Sequence, residues 1–271
     1  MEQRHRQPIG IFDSGIGGLT VAKAIADSLP NEKIIYYGDT AHIPYGDKSQ
    51  ELISKYASRI TEFLLHDKQC KAVVIACNTA SAAAYNTLRD RYKGIAPIIN
   101  VIDPMIEAVI SDDAVKHVGV IATKTTIASG VYQEKFTRRK PSLRFSALAT
   151  PLLAPMIEEG FYNNNISHAV LEKYLRDEAL QGIDALVLAC THYPLIKKEI
   201  DAFYGGGVKI FDSAEVVAAK LKNILTKEQL HTDLPGGTHE FLVSDYTRSF
   251  EKSTQMFYGK ELHLSLHNIW A

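Results

Sequence analysis

Ala72-Val73-Val74-Ile75-Ala76-Cys77-Asn78-Thr79 is the stretch that decides the fold, because the chain echoes it at Ala185-Leu186-Val187-Leu188-Ala189-Cys190-Thr191-His192. Each copy is an apolar run that stops at a thiol and passes into polar residues. Runs of this kind recur along the chain. Pro8 to Phe12, Lys33 to Tyr37, Ile98 to Ile102, His117 to Ile121, Arg144 to Leu148 and Val208 to Phe211 are short, apolar and often β-branched. Between them lie segments with helical spacing, among them Leu19 to Leu29, Glu51 to Leu65 and Ser81 to Tyr92. Strands alternating with helices predict an α/β fold with mainly parallel sheets.

The echo belongs to a longer internal repeat. Gly10 corresponds to Gly119 at an offset of 109, Cys77 to Cys190 at 113, and Ile102-Asp103-Pro104 to Phe211-Asp212-Ser213 at 109 again. Three anchors in one order at nearly one offset predict two pseudo-symmetric lobes, with a substantial interface and no low-complexity linker. Residues 1–103 plus 212–271 form the first lobe and residues 104–211 the second. Asp103 and Asp212 each open a helix near a crossover. The tail returns to the first lobe with a strand at Glu240 to Ser244, a helix at Tyr246 to Tyr258 and a strand at Glu261 to Leu266. Gly205-Gly206-Gly207 and Pro235-Gly236-Gly237 read as turns.

Composition excludes several function classes. The 271 residues suffice for real cores, and 46% hydrophobic with 23% charged residues is ordinary for a globular protein. A formal net charge of −1 argues against nucleic acid or an anionic membrane as partner. The basic head Met1-Glu2-Gln3-Arg4-His5-Arg6 has no apolar run behind it and does not read as a signal peptide. No apolar stretch approaches the ~18 residues of a spanning helix. Three widely spaced cysteines form neither a disulfide framework nor a zinc pattern, so reduced thiols in the cytoplasm and no metal are expected.

Ligands of open parallel sheets bind beyond the carboxyl ends of the strands, and both echoed cysteines fall there. Asn78 or Thr79 can cap the helix after Cys77, and Pro194 suits a first helical position after Cys190. A thiol near a helix N-terminus is biased toward thiolate. A duplicated thiol can present two acid/base groups to one small molecule from opposite sides, which inversion of a carbon–hydrogen centre requires. Cys70, which precedes its strand and has no counterpart, reads as structural. Asp13-Ser14-Gly15-Ile16-Gly17-Gly18 follows the first strand and opens a helix. It is neither a dinucleotide fingerprint nor a P-loop, and either a carboxylate cradle or a tight turn fits it. Asp13 serves either chemistry or helix capping. The loop Gly38 to Gly46, with Thr40, Tyr45 and Gly46, either completes a pocket or is a plain turn. His192, two residues past Cys190, can serve that thiol, and donors such as Asn78, Thr79, Thr191 and Ser14 suit a developing negative charge. Glu158 and Glu159 close a helix-like run, as functional acids or as an exposed helix end. No lysine stands out for pyridoxal phosphate, so no cofactor is expected.

Together Phe12 to Leu19, Pro44-Tyr45-Gly46, Ala76 to Ser81 and Ala189 to Pro194 resemble the cofactor-independent glutamate racemases of the aspartate/glutamate racemase superfamily, over nearly the whole chain. The resemblance implies two flavodoxin-like lobes with L- or D-glutamate held in the cleft between them. It implies Cys77 and Cys190 as the acid/base pair, with Asp13, His192 and Glu158 assisting, Glu159 being the alternative to Glu158. It implies Asp13, Ser14, Tyr45, Gly46, Asn78, Thr79, Thr191 and His192 as substrate-binding residues. It further implies a homodimer and a supply of D-glutamate for bacterial peptidoglycan. Some members need a cell-wall precursor as activator, and the N-terminal head leaves that open here. An aspartate racemase of the same superfamily and a non-catalytic two-lobed binding protein are the alternatives.

Overall fold

Successive strand residues point to opposite faces, and in the first sheet both faces are apolar. Ile9, Ile11, Ile34, Tyr36, Ala72 and Val74 enter one core, while Phe12, Ile35, Tyr37, Val73 and Ile75 enter another. Such strands must be covered on both sides, which parallel sheets with crossover helices achieve. The computed structural model describes residues 4–270, so the first three residues of the basic head lie outside the described residues.

The first half of the chain alternates β1 (Ile9–Asp13), α1 (Leu19–Ser28), β2 (Ile34–Gly38), α2 (Gln50–Glu62), β3 (Ala72–Ile75), α3 (Asn78–Arg91), β4 (Ile98–Asn100) and α4 (Ile102–Ile110). The alternation resumes with β5 (His117–Ala122), α5 (Lys124–Ala128), α6 (Val131–Arg139), β6 (Arg144–Ala149), α7 (Leu153–Glu158) and α8 (Asn165–Leu175). It closes with β7 (Ala185–Ala189), α9 (Lys197–Tyr204), β8 (Lys209–Phe211), α10 (Ser213–Lys227), β9 (Glu240–Val243), α11 (Arg248–Tyr258) and β10 (Ser265–Leu266).

These strands form two sheets, ordered β10-β9-β2-β1-β3-β4 and β6-β5-β7-β8. Every pairing is parallel. The order β2-β1-β3-β4 recurs as β6-β5-β7-β8, so the repeat seen in the sequence is a repeat of topology. Gly10 lies opposite Ile35 and Val73, and Gly119 lies opposite Ser146 and Leu186 at the same place in its sheet. One core continues from the first sheet through α1, α4 and α10 into the second. After β8 the chain returns to the first sheet, where β9 pairs with β2.

Three expectations are corrected. β4 ends at Asn100 rather than Ile102, because the Asn100 side chain accepts hydrogen bonds from the Ile102 and Asp103 amides and starts α4 itself. Asp103 therefore sits inside α4, whereas Asp212 does open α10, accepting from the Ala214 amide. The expected strand at Glu261 to Leu266 shrinks to Ser265–Leu266. The amides of Leu262 and Leu264 are instead taken by Thr254 and Glu251 of α11, which removes them from any ladder. No helix among the described residues is long and apolar enough to cross a membrane.

Sequence inspection passed over one buried ion pair. Lys71, just before β3, donates to Glu32, and both side chains are inaccessible to solvent. Glu32 also accepts from the Thr232 amide and so ties the segment after α10 to the first sheet. Removing Lys71 takes away the one cation that is buried with Glu32, leaving its carboxylate with the Thr232 amide and, at 3.4 Å, His231. Lys71→Met is expected to lower unfolding stability by about 3–5 kcal/mol in urea titrations, and a loss near zero would contradict the pair's role.

Candidate active site

Asp13 ends β1, Cys77 follows β3 and Cys190 follows β7, so three chemically active side chains sit at carboxyl ends of central strands. The Cys77 sulfur is itself the N-cap of α3, accepting from the Ala80 amide at 3.4 Å. Asn78 and Thr79, expected as caps, lie in the first turn instead. Cys190 has no comparable helix. A 3-10 turn over Tyr193–Ile196, with Pro194 near its start, separates it from α9.

The glycine loop after β1 serves the protein's own carboxylate. Asp13 is fully buried, and its Oδ2 accepts from the Gly15 and Gly18 amides at 3.2 and 3.0 Å. Those two donors are therefore not free for an external anion, which corrects the cradle expectation. Asp13 Oδ1 is buried without a partner. Two glycines here are steric requirements. A Cβ on Gly18 would come within 2.6 Å of Asp13 Cβ. One on Gly17 would lie 2.6 Å from the His192 ring and 2.7 Å from Thr191 Oγ1, side chains that follow β7 in the other sheet.

A cavity of about 90 Å³ lies between the two sets of strand ends. Its wall includes Ser14, Tyr45, Gly46, Cys77, Asn78 and Thr79 from one side and Glu158, Cys190, Thr191 and His192 from the other. Of the catalytic and substrate-binding residues the resemblance implies, Asp13 alone is missing from this wall; Glu159, the alternative to Glu158, is an exposed residue just past α7. Thr40 does not complete the pocket. Its hydroxyl pairs with the backbone of Asp245 in the tail.

The two thiols have different company. The Cys77 S–H points to Ser14 Oγ at 3.7 Å. Burial pushes this thiol up to about 12, with the nearby Asp13 charge adding to the rise. The thiolate bias expected at a helix N-terminus is thus overturned by desolvation, and the Ala80 amide recovers only part of it. Cys190 Sγ lies 3.6 Å from His192 Nδ1, and His192 Nε2 lies 2.8 Å from Glu158 Oε1. Burial alone would push the imidazole down. Hydrogen bonds to Cys190 and Glu158 outweigh it and hold His192 well above its ordinary value, which favours the imidazolium. Burial raises Asp13, while the His192 charge and the loop amides oppose that rise.

Neighbours that sequence reasoning missed orient the lining residues. Tyr132 of α6 donates to Asn78 Oδ1 at 2.8 Å, which fixes the amide and leaves Nδ2 buried without a partner. Thr79 Oγ1 lies 3.0 Å from Thr123 Oγ1 and 3.1 Å from Thr126 Oγ1, a bridge between residues that follow β3 and β5. Thr123 stands 109 positions after Ser14, so the repeat offset could have found it. Thr150 pairs with the Tyr193 hydroxyl at 2.8 Å, and nothing in the sequence marks it.

Known proteins match this chain along most of its length. The family described as Asp/Glu/Hydantoin racemase matches residues 18–221. The glutamate racemase of Chlorobaculum tepidum is 42% identical over 256 residues, 94% of this chain and 93% of that protein. The glutamate racemase of Neisseria meningitidis serogroup B is 40% identical over 265 residues, 97% of each chain. The crystal structure of the Francisella tularensis glutamate racemase in complex with D-glutamate is similar with a TM-score of 0.91 and 38% identity, covering 98% of this chain and 99% of that one.

The upward shift of Cys77 has a measurable consequence. Below about 12 the neutral thiol dominates, so only roughly a thousandth is thiolate at pH 9. In the ligand-free protein the logarithm of the Cys77 alkylation rate, followed by peptide mass spectrometry, should climb by about one per pH unit through pH ~10. A plateau near the free-thiol value of ~8.5 would contradict the structure.

Proposed function

The chain belongs to the Asp/Glu/Hydantoin racemase family, and from that premise we propose that it interconverts L- and D-glutamate by proton transfer through Cys77 and Cys190, without a cofactor. The observation that carries this reading is that thiols at equivalent strand ends of two repeated sheets line one cavity. A protein that only bound a small ligand would need no thiol at both places.

The residues divide the work. The α-carbon of an amino acid is a very weak acid, so the site must hold it between base and acid and stabilise the charge that develops. Asn78 lines the cavity and its Nδ2 is buried without a partner, so it is the donor assigned to a substrate carboxylate on this reading. The Ser14, Thr79 and Thr191 hydroxyls, with the backbone of Tyr45 and Gly46, complete the binding set. With one enantiomer bound, the Cys190 sulfur takes the α-proton and the C–H electron pair flows into the carboxylate. The Cys77 S–H bond then breaks and its proton is delivered to the opposite face. Cys190 ends as thiol and Cys77 as thiolate, and the reverse reaction restores both. The high pKa of Cys77 suits it to carry the proton at the start. His192, held by Glu158, faces the other sulfur with a positive charge. Asp13 acts on Cys77 through its charge, from behind the cavity wall.

The same reading divides the chain into a lobe of residues 1–103 plus 212–271 and a lobe of residues 104–211, one sheet in each. It places the protein as a cytoplasmic homodimer supplying D-glutamate for peptidoglycan.

The test is incubation of the protein with L- or D-glutamate in deuterated water, with no cofactor added. Loss of optical rotation together with deuterium at the α-carbon is expected. An inert protein, or one that racemises aspartate instead, would sink the proposal. Cys77→Ala and Cys190→Ala should each reduce racemisation by at least ~10²-fold with the fold intact by circular dichroism. Cys70→Ala, whose side chain is buried among Gly10 and Leu64 away from the cavity, should leave kcat unchanged. Turnover retained in either of the first two variants would refute the two-thiol assignment.

A further inference from the structure

Asp39 lies just past β2, outside the cavity, with its side chain fully buried. Four side chains converge on its carboxylate. Oδ2 accepts from the Tyr45 hydroxyl at 2.7 Å, and Oδ1 accepts from Ser244 Oγ at 2.8 Å and from the Trp270 indole N–H at 3.0 Å. His42 Nδ1 stands 3.0 Å from both oxygens. A buried carboxylate with this many donors is a structural hub, because its desolvation is offset only while the donors stay in place.

The donors come from two distant parts of the chain. Tyr45 opens the short turn Tyr45–Asp47 that walls the cavity. Ser244 and Trp270 belong to the segment that returns to the first sheet after α10. Aromatic stacking fastens the same junction, with the His42 ring 4.2 Å from Tyr56 and 4.7 Å from Trp270. The Tyr45 hydroxyl is thereby spent on Asp39, and what this residue offers a ligand is its ring and backbone. On the other side the turn is held by Thr125, whose hydroxyl donates to the Gly46 carbonyl at 2.8 Å.

We propose that Asp39 is a positioning residue for glutamate: through the Tyr45 hydroxyl it holds the Tyr45–Gly46 wall of the cavity in place, and Trp270 and Ser244 of the returning tail hold Asp39. The proposal rests on the racemase reading above and extends it to residues that touch neither substrate nor thiol. The tail is then part of the active site's support, although its nearest contribution is one carboxylate removed from the cavity. Misplacing the Tyr45 turn weakens substrate binding and leaves the two proton carriers where they are.

The experiment is steady-state racemisation by Asp39→Asn, Trp270→Phe, Tyr45→Phe and the Asp39→Asn/Tyr45→Phe double variant. Asp39→Asn should raise KM for both enantiomers by about tenfold, as the charge-assisted bond that holds the Tyr45 hydroxyl is weakened along with the others, with kcat changed by less than about threefold. Trp270→Phe keeps the ring and loses only the N–H. It should raise KM by about threefold, and it remains informative if Asp39→Asn fails to fold. Tyr45→Phe should add nothing further in the double variant, since hydroxyl and carboxylate act as one unit. An unchanged KM in Asp39→Asn or Trp270→Phe, a fall in kcat alone, or additive effects in the double variant would overturn the positioning role. An active wild type with any of these results leaves the racemase reading standing, whereas an inert wild type overturns both.

Discussion

A methyl group on residue 17 would collide with the His192 ring and the Thr191 hydroxyl, and most of the site depends on its absence. The loop after β1 and the turn after β7 belong to different sheets. At residue 17 they meet backbone against side chain, with no Cβ between them. That contact puts the end of β1 beside the end of β7 and leaves a small cavity with one thiol on each side. Asp13 completes the constraint from within the loop. By accepting the Gly15 and Gly18 amides it holds the turn tight enough for α1 to begin at Leu19, with no side-chain cap of its own. The price is a carboxylate with one oxygen unpaired in the interior, and burial accordingly raises its pKa.

The fold was legible because its signals are short-ranged. Apolar runs ending at Cys77 and Cys190 mark strands to within a residue, and one repeat offset carries the topology. Where side chains compete with the backbone, the reading failed. Asn100 takes two amides and ends β4 early, and Thr254 and Glu251 take two more and nearly erase the strand expected after α11. Such bonds depend on rotamers that no periodicity records. The residues lining the cavity were legible for the same reason as the strands, because they follow strand ends directly. Their supports were not. Tyr132 reaches Asn78 across 54 positions and Trp270 reaches Asp39 across 231. Only Thr123 carried a signal, as the counterpart of Ser14 in the repeat.

Helix position also proved a poor guide to the thiols. A helix N-terminus and one amide bond favour thiolate at Cys77, yet full burial and the charge of Asp13 outweigh them. In water a partial charge of about half a unit would compete well. In a closed cavity the loss of hydration is the larger effect.

The repeat makes the two thiols equivalent in position while their surroundings differ, and thermodynamics limits what that difference can do. The enantiomers of glutamate have equal free energy in water, so kcat/KM must be the same from either side. Unequal partners cannot make one direction the more efficient. They can only shift kcat and KM together, by changing how stable each bound form is. On the proposed two-thiol reading, a site with the proton on Cys77 and a cation beside Cys190 accepts the enantiomer whose α-proton faces Cys190. It must be reset, by the reverse reaction or by proton exchange, before it meets the same enantiomer again. Asymmetry in this cavity therefore governs which protonation state waits between turnovers. On that reading His192, 3.6 Å from the Cys190 sulfur, and Asp13, whose charge acts on Cys77, are the groups that set it.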